Sequence, residues 1–295
     1  MRHGDWVKAL GAKSLGAKAL ALAGALAALG LSAPGDVRAA EVRYLGHSAL
    51  EVRAQEHTIL VDPYLSDNPV APAAAKQPGA FQDADLILLT HGHADHLGDT
   101  AALVQRTEAK VALNADLGRT LAALGIVPAE RQVRFNVGGT VRPLGAGIQI
   151  TMVQAVHSSS VTVPGPNAGQ DGGQDGGPDG GPETVRGGGT GVGYVIETAD
   201  GSSLYHAGDT AVFRGMSYIT EYYQPDLAFI PAGGYETMGP EQAAHALMNY
   251  LNVRRAVPMH YRVEGQRDVP ARIRDRLGDY PVELLAVEPG EVLDF

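Results

Sequence analysis

The sequence predicts a layered α/β fold, on three observations. Short strand-like runs recur along the chain, two helical segments lie among them, and several runs end in a histidine or an aspartate. The strand candidates are residues 42–45, 50–54, 58–61, 86–90, 110–113, 132–135, 148–156, 193–197, 203–205, 227–230 and 256–259. Several alternate apolar and polar side chains, as Ile148-Gln-Ile-Thr-Met152 does, which suits a half-buried strand. Asp85-Leu-Ile-Leu-Leu-Thr90 is instead a short apolar run that ends sharply, the pattern of a fully buried strand. Of the two helices, residues 116–124 open on an acidic cap and close at Gly125. Residues 240–251 start with a proline in the first turn and put Ala244, Leu247, Met248 and Leu251 on one face.

Bulk composition removes several functional classes. The chain has 295 residues, a net charge of −10 and no cysteine. An acidic chain without a block of Lys or Arg has little with which to neutralise phosphates, so nucleic acid is not expected as a partner. Without cysteine there is no disulfide and no thiolate metal site.

Two stretches stand apart. Arg2, Lys8, Lys13 and Lys18 precede an apolar run at residues 19–31, and small residues follow up to Val37-Arg-Ala39. That is the pattern of a secretory signal peptide over residues 1–39, cut after Ala39, so the protein is expected to be exported, periplasmic or secreted. A stable membrane anchor is not expected, because spanning the hydrocarbon takes about 20 apolar residues. Residues 164–191 are mostly Gly, Pro, Asp and Gln in a loose repeat, which predicts a mobile, disordered loop. Asp171, Asp175 and Asp179 within it match no calcium loop. The flanks read as strands of one domain, so residues 40–295 are expected to form a single domain.

The densest chemistry follows the buried run. His91-Gly-His93-Ala-Asp95-His96 puts three histidines and an aspartate into six positions on what is expected to be a loop. Side chains two apart on extended backbone point the same way, so His91 and His93 can hold one ion while Asp95 and His96 turn towards a second. Gly92 allows the backbone close approach. His157, Asp209 and His260 each follow another strand-like run. Strand ends at one sheet edge are where α/β folds assemble sites, and imidazole with carboxylate suits zinc, manganese or iron.

"THGHADHLGD" with isolated His157, Asp209 and His260 resembles the metallo-β-lactamase superfamily over most of residues 41–295. The blocks "LGHSAL", "ILVDPYLSDNP", "HAGDT", "GGYETMGPEQA" and "PMHY" are similar to the branch of metal-dependent hydrolases that includes the L-ascorbate-phosphate lactonases. The resemblance implies a four-layer αββα sandwich with two divalent metal ions at one edge, Zn2+ first and Mn2+ or Fe as alternatives. It implies that His91, His93 and His157 hold the first ion, that Asp95, His96 and His260 hold the second, and that Asp209 bridges them. The implied activity is hydrolysis of a small-molecule substrate, a lactone, ester, amide or phosphodiester, by a metal-bridging hydroxide, with Asp95 and Asp209 as catalytic candidates. Absence of cysteine departs from the class B β-lactamases, whose second-metal set usually includes one, and argues against antibiotic hydrolysis. His93 stands where two-iron relatives carry glutamate. A non-hydrolytic metal-binding or di-iron redox protein of the same fold is the alternative reading.

Other histidines carry less. His47, in "GHS" after a strand, reads as an acid, as support for the site or as simple packing. His206, three before Asp209, reads as support or core. Asp62 reads as a hydrogen-bond partner of a ligand histidine or as a turn cap before Pro63. Tyr261 reads as a substrate contact or a packed aromatic, and His245 as a solvated helix residue. His3 and His57 carry no reading.

Overall fold

The computed structural model describes residues 40–77, 79–164, 183–261 and 266–295. The expected signal peptide over residues 1–39, His3 with it, and most of the glycine-rich insert lie outside the described residues. The described chain begins with strands β1 (Glu41–Gly46), β2 (Ala49–Ala54), β3 (His57–Val61) and β4 (Ala84–Leu88), then helices α1 (Ala94–Leu97) and α2 (Thr100–Arg106). Next come β5 (Lys110–Asn114), α3 (Ala115–Ala123), β6 (Gln132–Phe135), β7 (Thr140–Val141), β8 (Ile148–Gln154), β9 (Ser160–Pro164) and β10 (Glu183–Gly187). The rest is β11 (Val192–Thr198), β12 (Ser203–His206), α4 (Gly215–Tyr223), β13 (Leu227–Pro231), α5 (Pro240–Asn249), β14 (Arg255–Met259), α6 (Val269–Leu277), β15 (Glu283–Leu284) and β16 (Val292–Asp294).

Among the described residues, two seven-stranded sheets stack face to face, in the orders β16-β1-β2-β3-β4-β5-β6 and β15-β14-β13-β12-β11-β8-β7. Side-chain alternation sorts each strand between two cores. Leu86 and Leu88 of β4 join the inter-sheet core with Val52, Val61, Ile150, Tyr194 and Phe229. Ile87 and Leu89 face the other way, onto Leu103 and Val104 of α2 and Leu117 and Leu121 of α3. Val195, Tyr205, Ala228 and Ile230 on the outer face of the second sheet meet Met216 of α4, Leu247 of α5 and Ile273 of α6. The result is the αββα sandwich, and it explains the unbroken apolar run of β4, a strand with helix on one side and sheet on the other. No helix among the described residues is long and apolar enough to cross a membrane.

Strand direction fixes where the site lies. β1 and β3 are each antiparallel to β2, and β3 pairs parallel with β4. β8 and β12 are each antiparallel to β11, and β12, β13 and β14 run parallel. Hence β1, β3 and β4 in one sheet share a direction, as do β8, β12 and β14 in the other, and the residues after all six meet at one edge. The sheets are tied there: Val192 N–H donates to Thr90 O at 3.0 Å, and Tyr194 O–H donates to Leu89 O at 2.7 Å.

Three expectations are corrected. The histidine-rich segment is not all loop, because Ala94–Leu97 closes a helical turn that carries Asp95 and His96. Asn114, not Asp116, caps α3, its side chain accepting from the N–H groups of Asp116 and Leu117. Glu183–Gly187, placed in the mobile insert, pairs as a strand with Ser160–Pro164 in a two-stranded ribbon.

Candidate metal centre

His91 and His93 follow β4, Asp95 and His96 sit on α1, His157 follows β8, Asp209 follows β12 and His260 follows β14. All seven converge. His91 Nε2 is 2.9 Å from His93 Nδ1, and His93 Nδ1 is 3.3 Å from His157 Nε2. Asp95 Oδ2 lies 3.8 Å from His96 Nε2 and 3.6 Å from His260 Nε2. Asp209 Oδ2 faces both sets, at 4.0 Å from His91 Nε2, 3.7 Å from His157 Nε2, 3.3 Å from His96 Nε2 and 3.1 Å from His260 Nε2.

Buried hydrogen bonds set which ring nitrogens face inward. Asp62, with no solvent exposure, accepts from Thr90 N–H at 2.8 Å and from Thr90 Oγ1–H at 2.6 Å. Having spent its proton on Asp62, the Thr90 hydroxyl can only accept from His91 Nδ1, at 3.0 Å. His96 Nδ1 likewise donates to Asp62 at 2.8 Å. Both rings are thereby held with a proton on Nδ1 and with Nε2 facing the cluster, where it would offer its lone pair to a cation. Asp62 is thus the histidine partner, and Thr90, whose position just ahead of His91 was the available signal, was not read from the sequence. Asp99 was missed too. It accepts from Leu65 N–H and Ser66 N–H, both at 2.9 Å, and pins the loop after Asp62 against α1. Behind it Gly98 takes φ +41, and a Cβ there would come within 2.4 Å of Pro63 O, so no other residue fits.

The remaining readings separate. His47 Nε2 lies 2.8 Å from Asp95 Oδ2. His206 is buried, donates from Nε2 to Ser48 O at 2.9 Å and accepts from Gly208 N–H, so it is a strut and takes no part in the cluster. Tyr261 packs in the core under α5 and α6. His245 is exposed on α5. His57 pairs with Asp85 at 3.3 Å, away from the centre. The turn after β13, which opens the "GGYETMGPEQA" block, belongs to the rim: Met238 N–H donates to Thr210 O, and a Cβ on Gly233 would come within 2.0 Å of His260 O.

Electrostatics show a site built for cations. Burial opposes charge on His96, yet Asp209 and Asp62 on either side raise its pKa well above the usual value. Burial likewise opposes ionisation of Asp209, and His96 and His260 nonetheless hold it well below the carboxylate range. Burial lowers His91 and His157 and keeps them neutral, as metal-binding imidazoles must be. His96 Nε2, His260 Nε2 and Asp209 Oδ1 are buried without a hydrogen-bond partner. Buried polar atoms without partners are expensive in a protein interior, and a divalent cation would satisfy all three at once. The donor set therefore fits metal.

A pH signature follows for the metal-free protein. Although burial works against it, the neighbouring carboxylates of Asp209 and Asp95 raise His260 from 6.5 to about 9. A raised histidine stabilises the fold fully below its unfolded pKa and loses that contribution as pH climbs through the folded value. The melting midpoint of chelator-treated protein is therefore expected to fall between about pH 6.5 and 9, while zinc-loaded protein, whose ligand imidazoles are neutral throughout that range, stays level. Parallel pH profiles for the two forms would contradict this.

Residues 57–261 match the family described as the Beta-lactamase superfamily domain. The chain belongs to the metallo-β-lactamase superfamily. Within that superfamily it is similar to the UPF0173 metal-dependent hydrolase of Cupriavidus taiwanensis, 42% identical over 269 residues that cover 89% of this chain and 90% of the relative. It is also similar to the UPF0173 metal-dependent hydrolase of Thermococcus onnurineus, at 38% identity covering 86% of this chain and 99% of that one. Among solved structures, Igni18, a metallo hydrolase from the hyperthermophilic archaeon Ignicoccus hospitalis, superposes with a TM-score of 0.69 at 29% identity, covering 87% of this chain and 98% of its own. The chain is thus a member of the family of metal-dependent hydrolases within the superfamily, and its His/Asp groups are the candidate metal-binding groups.

Proposed function

We propose that this protein is a two-cation hydrolase, with His91, His93 and His157 holding one ion, Asp95, His96 and His260 the other, and Asp209 spanning both. The observation that carries the reading is the position of Asp209 Oδ2, within 4.0 Å of an imidazole nitrogen from each set. Zinc is the first choice of metal for nitrogen- and oxygen-donating side chains of this mix, with manganese or iron as alternatives. Such a pair, when bound, makes hydroxide available near neutral pH and polarises the electrophile's oxygen.

The chain's own part is orientation and proton handling. Asp62 and Thr90 hold the ring nitrogens of His96 and His91 inward without reorganisation. Asp209, 3% exposed, lies between the two sets and within 4.0 Å of imidazoles from each. Asp95, with 39% of its side chain exposed, is the cluster carboxylate open to solvent and is placed to take the proton of the reacting water. The substrate is a small lactone, ester, amide or phosphodiester that approaches from the Asp95 side. The basic then apolar opening of residues 1–39 supports action after export.

Purified protein should be analysed for metal and then assayed against a lactone, an aryl ester, an anilide and bis(p-nitrophenyl) phosphate. Turnover of at least one class, abolished by a chelator and restored by two equivalents of zinc, is expected. Two tightly held irons with no turnover of any class would overturn the proposal in favour of the redox reading.

A further inference from the structure

The β1–β2 connection is two residues long, yet it touches three parts of the centre. His47 O accepts the backbone N–H of His260 at 2.9 Å and also the Tyr44 hydroxyl at 3.1 Å. Ser48 O accepts from His206, three residues before Asp209. The His47 ring lies 3.8 Å, centroid to centroid, from that of His260, and its Nε2 is 2.8 Å from Asp95 Oδ2. His47 also holds φ +58, a left-handed backbone that a non-glycine residue keeps only where its surroundings fix it. His260, opposite, holds φ +57.

Of the three imidazoles around Asp95, those of His260 and His96 stand at 3.6 and 3.8 Å, beyond hydrogen-bond length, so His47 alone makes the bond. An ionised carboxylate only accepts, and the shared proton therefore sits on His47 Nε2. Among the described residues, His47 groups with Asp95, His96 and His260, whereas His91, His93 and His157 form a separate group. We propose that His47 is a positioning residue for the second cation: it donates to Asp95, fixes the carboxylate which that ion needs, and leaves the first ion unaffected. The proposal rests on the two-cation reading. It assigns His47 neither proton transfer nor a place in the cation's coordination, although its Nε2 is close enough to the Asp95, His96 and His260 donor atoms for direct ligation to be the competing arrangement.

Asparagine and glutamine carry the same amide one methylene apart. Asparagine tolerates the left-handed backbone but is too short to reach Asp95, whereas glutamine puts an N–H near the Nε2 position. Full-length wild-type, His47→Asn and His47→Gln proteins should be stripped of metal, checked by circular dichroism and titrated with cobalt, following its ligand-field absorption. Wild type is expected to take two ions. In His47→Asn the first ion should bind as in wild type and the second about tenfold to a hundredfold more weakly, the usual consequence of removing a partner from a ligating group. His47→Gln should recover most of that loss with the wild-type band shape. Unchanged cobalt binding in His47→Asn would reduce His47 to lining and overturn the proposal. Failure of His47→Gln to recover, with an altered band, would make His47 a direct ligand and overturn it too. Wild-type protein that binds one ion would sink the two-cation reading itself, and the proposal with it.

Discussion

Asp209→Asn is expected to lower kcat/KM by roughly three orders of magnitude or more, the scale on which a hydrolytic site responds to losing a charge-stabilising group. Asparagine keeps the volume and removes the charge, so the change isolates the electrostatic role. Four imidazole nitrogens lie 3.1 to 4.0 Å from Asp209 Oδ2, and the side chain is 3% exposed, so no solvent ion can replace it cheaply. On the proposed two-cation reading, losing the carboxylate would leave the two ions with nothing between them to offset their repulsion. Metal analysis of the variant should show fewer than two ions per chain. Two retained ions at the wild-type rate would show that Asp209 does not span them.

Replacement of Asp62 should produce the largest loss of stability. Asp62→Ala strands Thr90 N–H, Thr90 Oγ1–H and His96 Nδ1 in a fully buried setting and puts a Cβ-only residue at φ +44. Breaking one member of a buried charged network typically costs about 3–5 kcal/mol, a large share of a domain's total of roughly 5–15 kcal/mol. Asp62→Asn is the more informative variant. Its amide nitrogen would donate where Oδ2 now accepts, towards both Thr90 Oγ1 and His96 Nδ1. Thr90 would then donate to His91 Nδ1, and both rings would be driven to carry their proton on Nε2, pointing N–H into the cluster. The fold should survive with a weakened affinity for both metals, measured as loss of the zinc-induced rise in melting midpoint. A full zinc-induced rise in Asp62→Asn would contradict the tautomer argument.

Much of this was legible in the sequence because it is periodic or repeated in type. The inward and outward alternation of residues 148–152 and the unbroken run after Asp85 follow from two stacked sheets, one face on each core. Histidine and aspartate after separate strands became a single cluster because strand direction carries those ends to one edge. What escaped has physical reasons. Helix α4 exposes Tyr218 and Tyr222, so its apolar residues make no clean stripe. Helix α6 buries Val269, Ile273 and Leu277 at a regular spacing of four, but its arginines mask the pattern. Thr90 and Asp99 act by holding a ligand ring and backbone N–H groups from behind, which residue type does not announce. Asp95 and His96 were expected on a loop, since a turn of helix as short as Ala94–Leu97 leaves no periodicity to read.

The proposed function turns on whether side chains from both sheets gather a pair of cations. Anomalous diffraction from a zinc-loaded crystal, collected on both sides of the zinc absorption edge, tests this most directly. Two peaks are predicted, one among His91, His93 and His157, the other among Asp95, His96 and His260, with Asp209 between them. A single peak, or zinc bound away from these seven side chains, would contradict it.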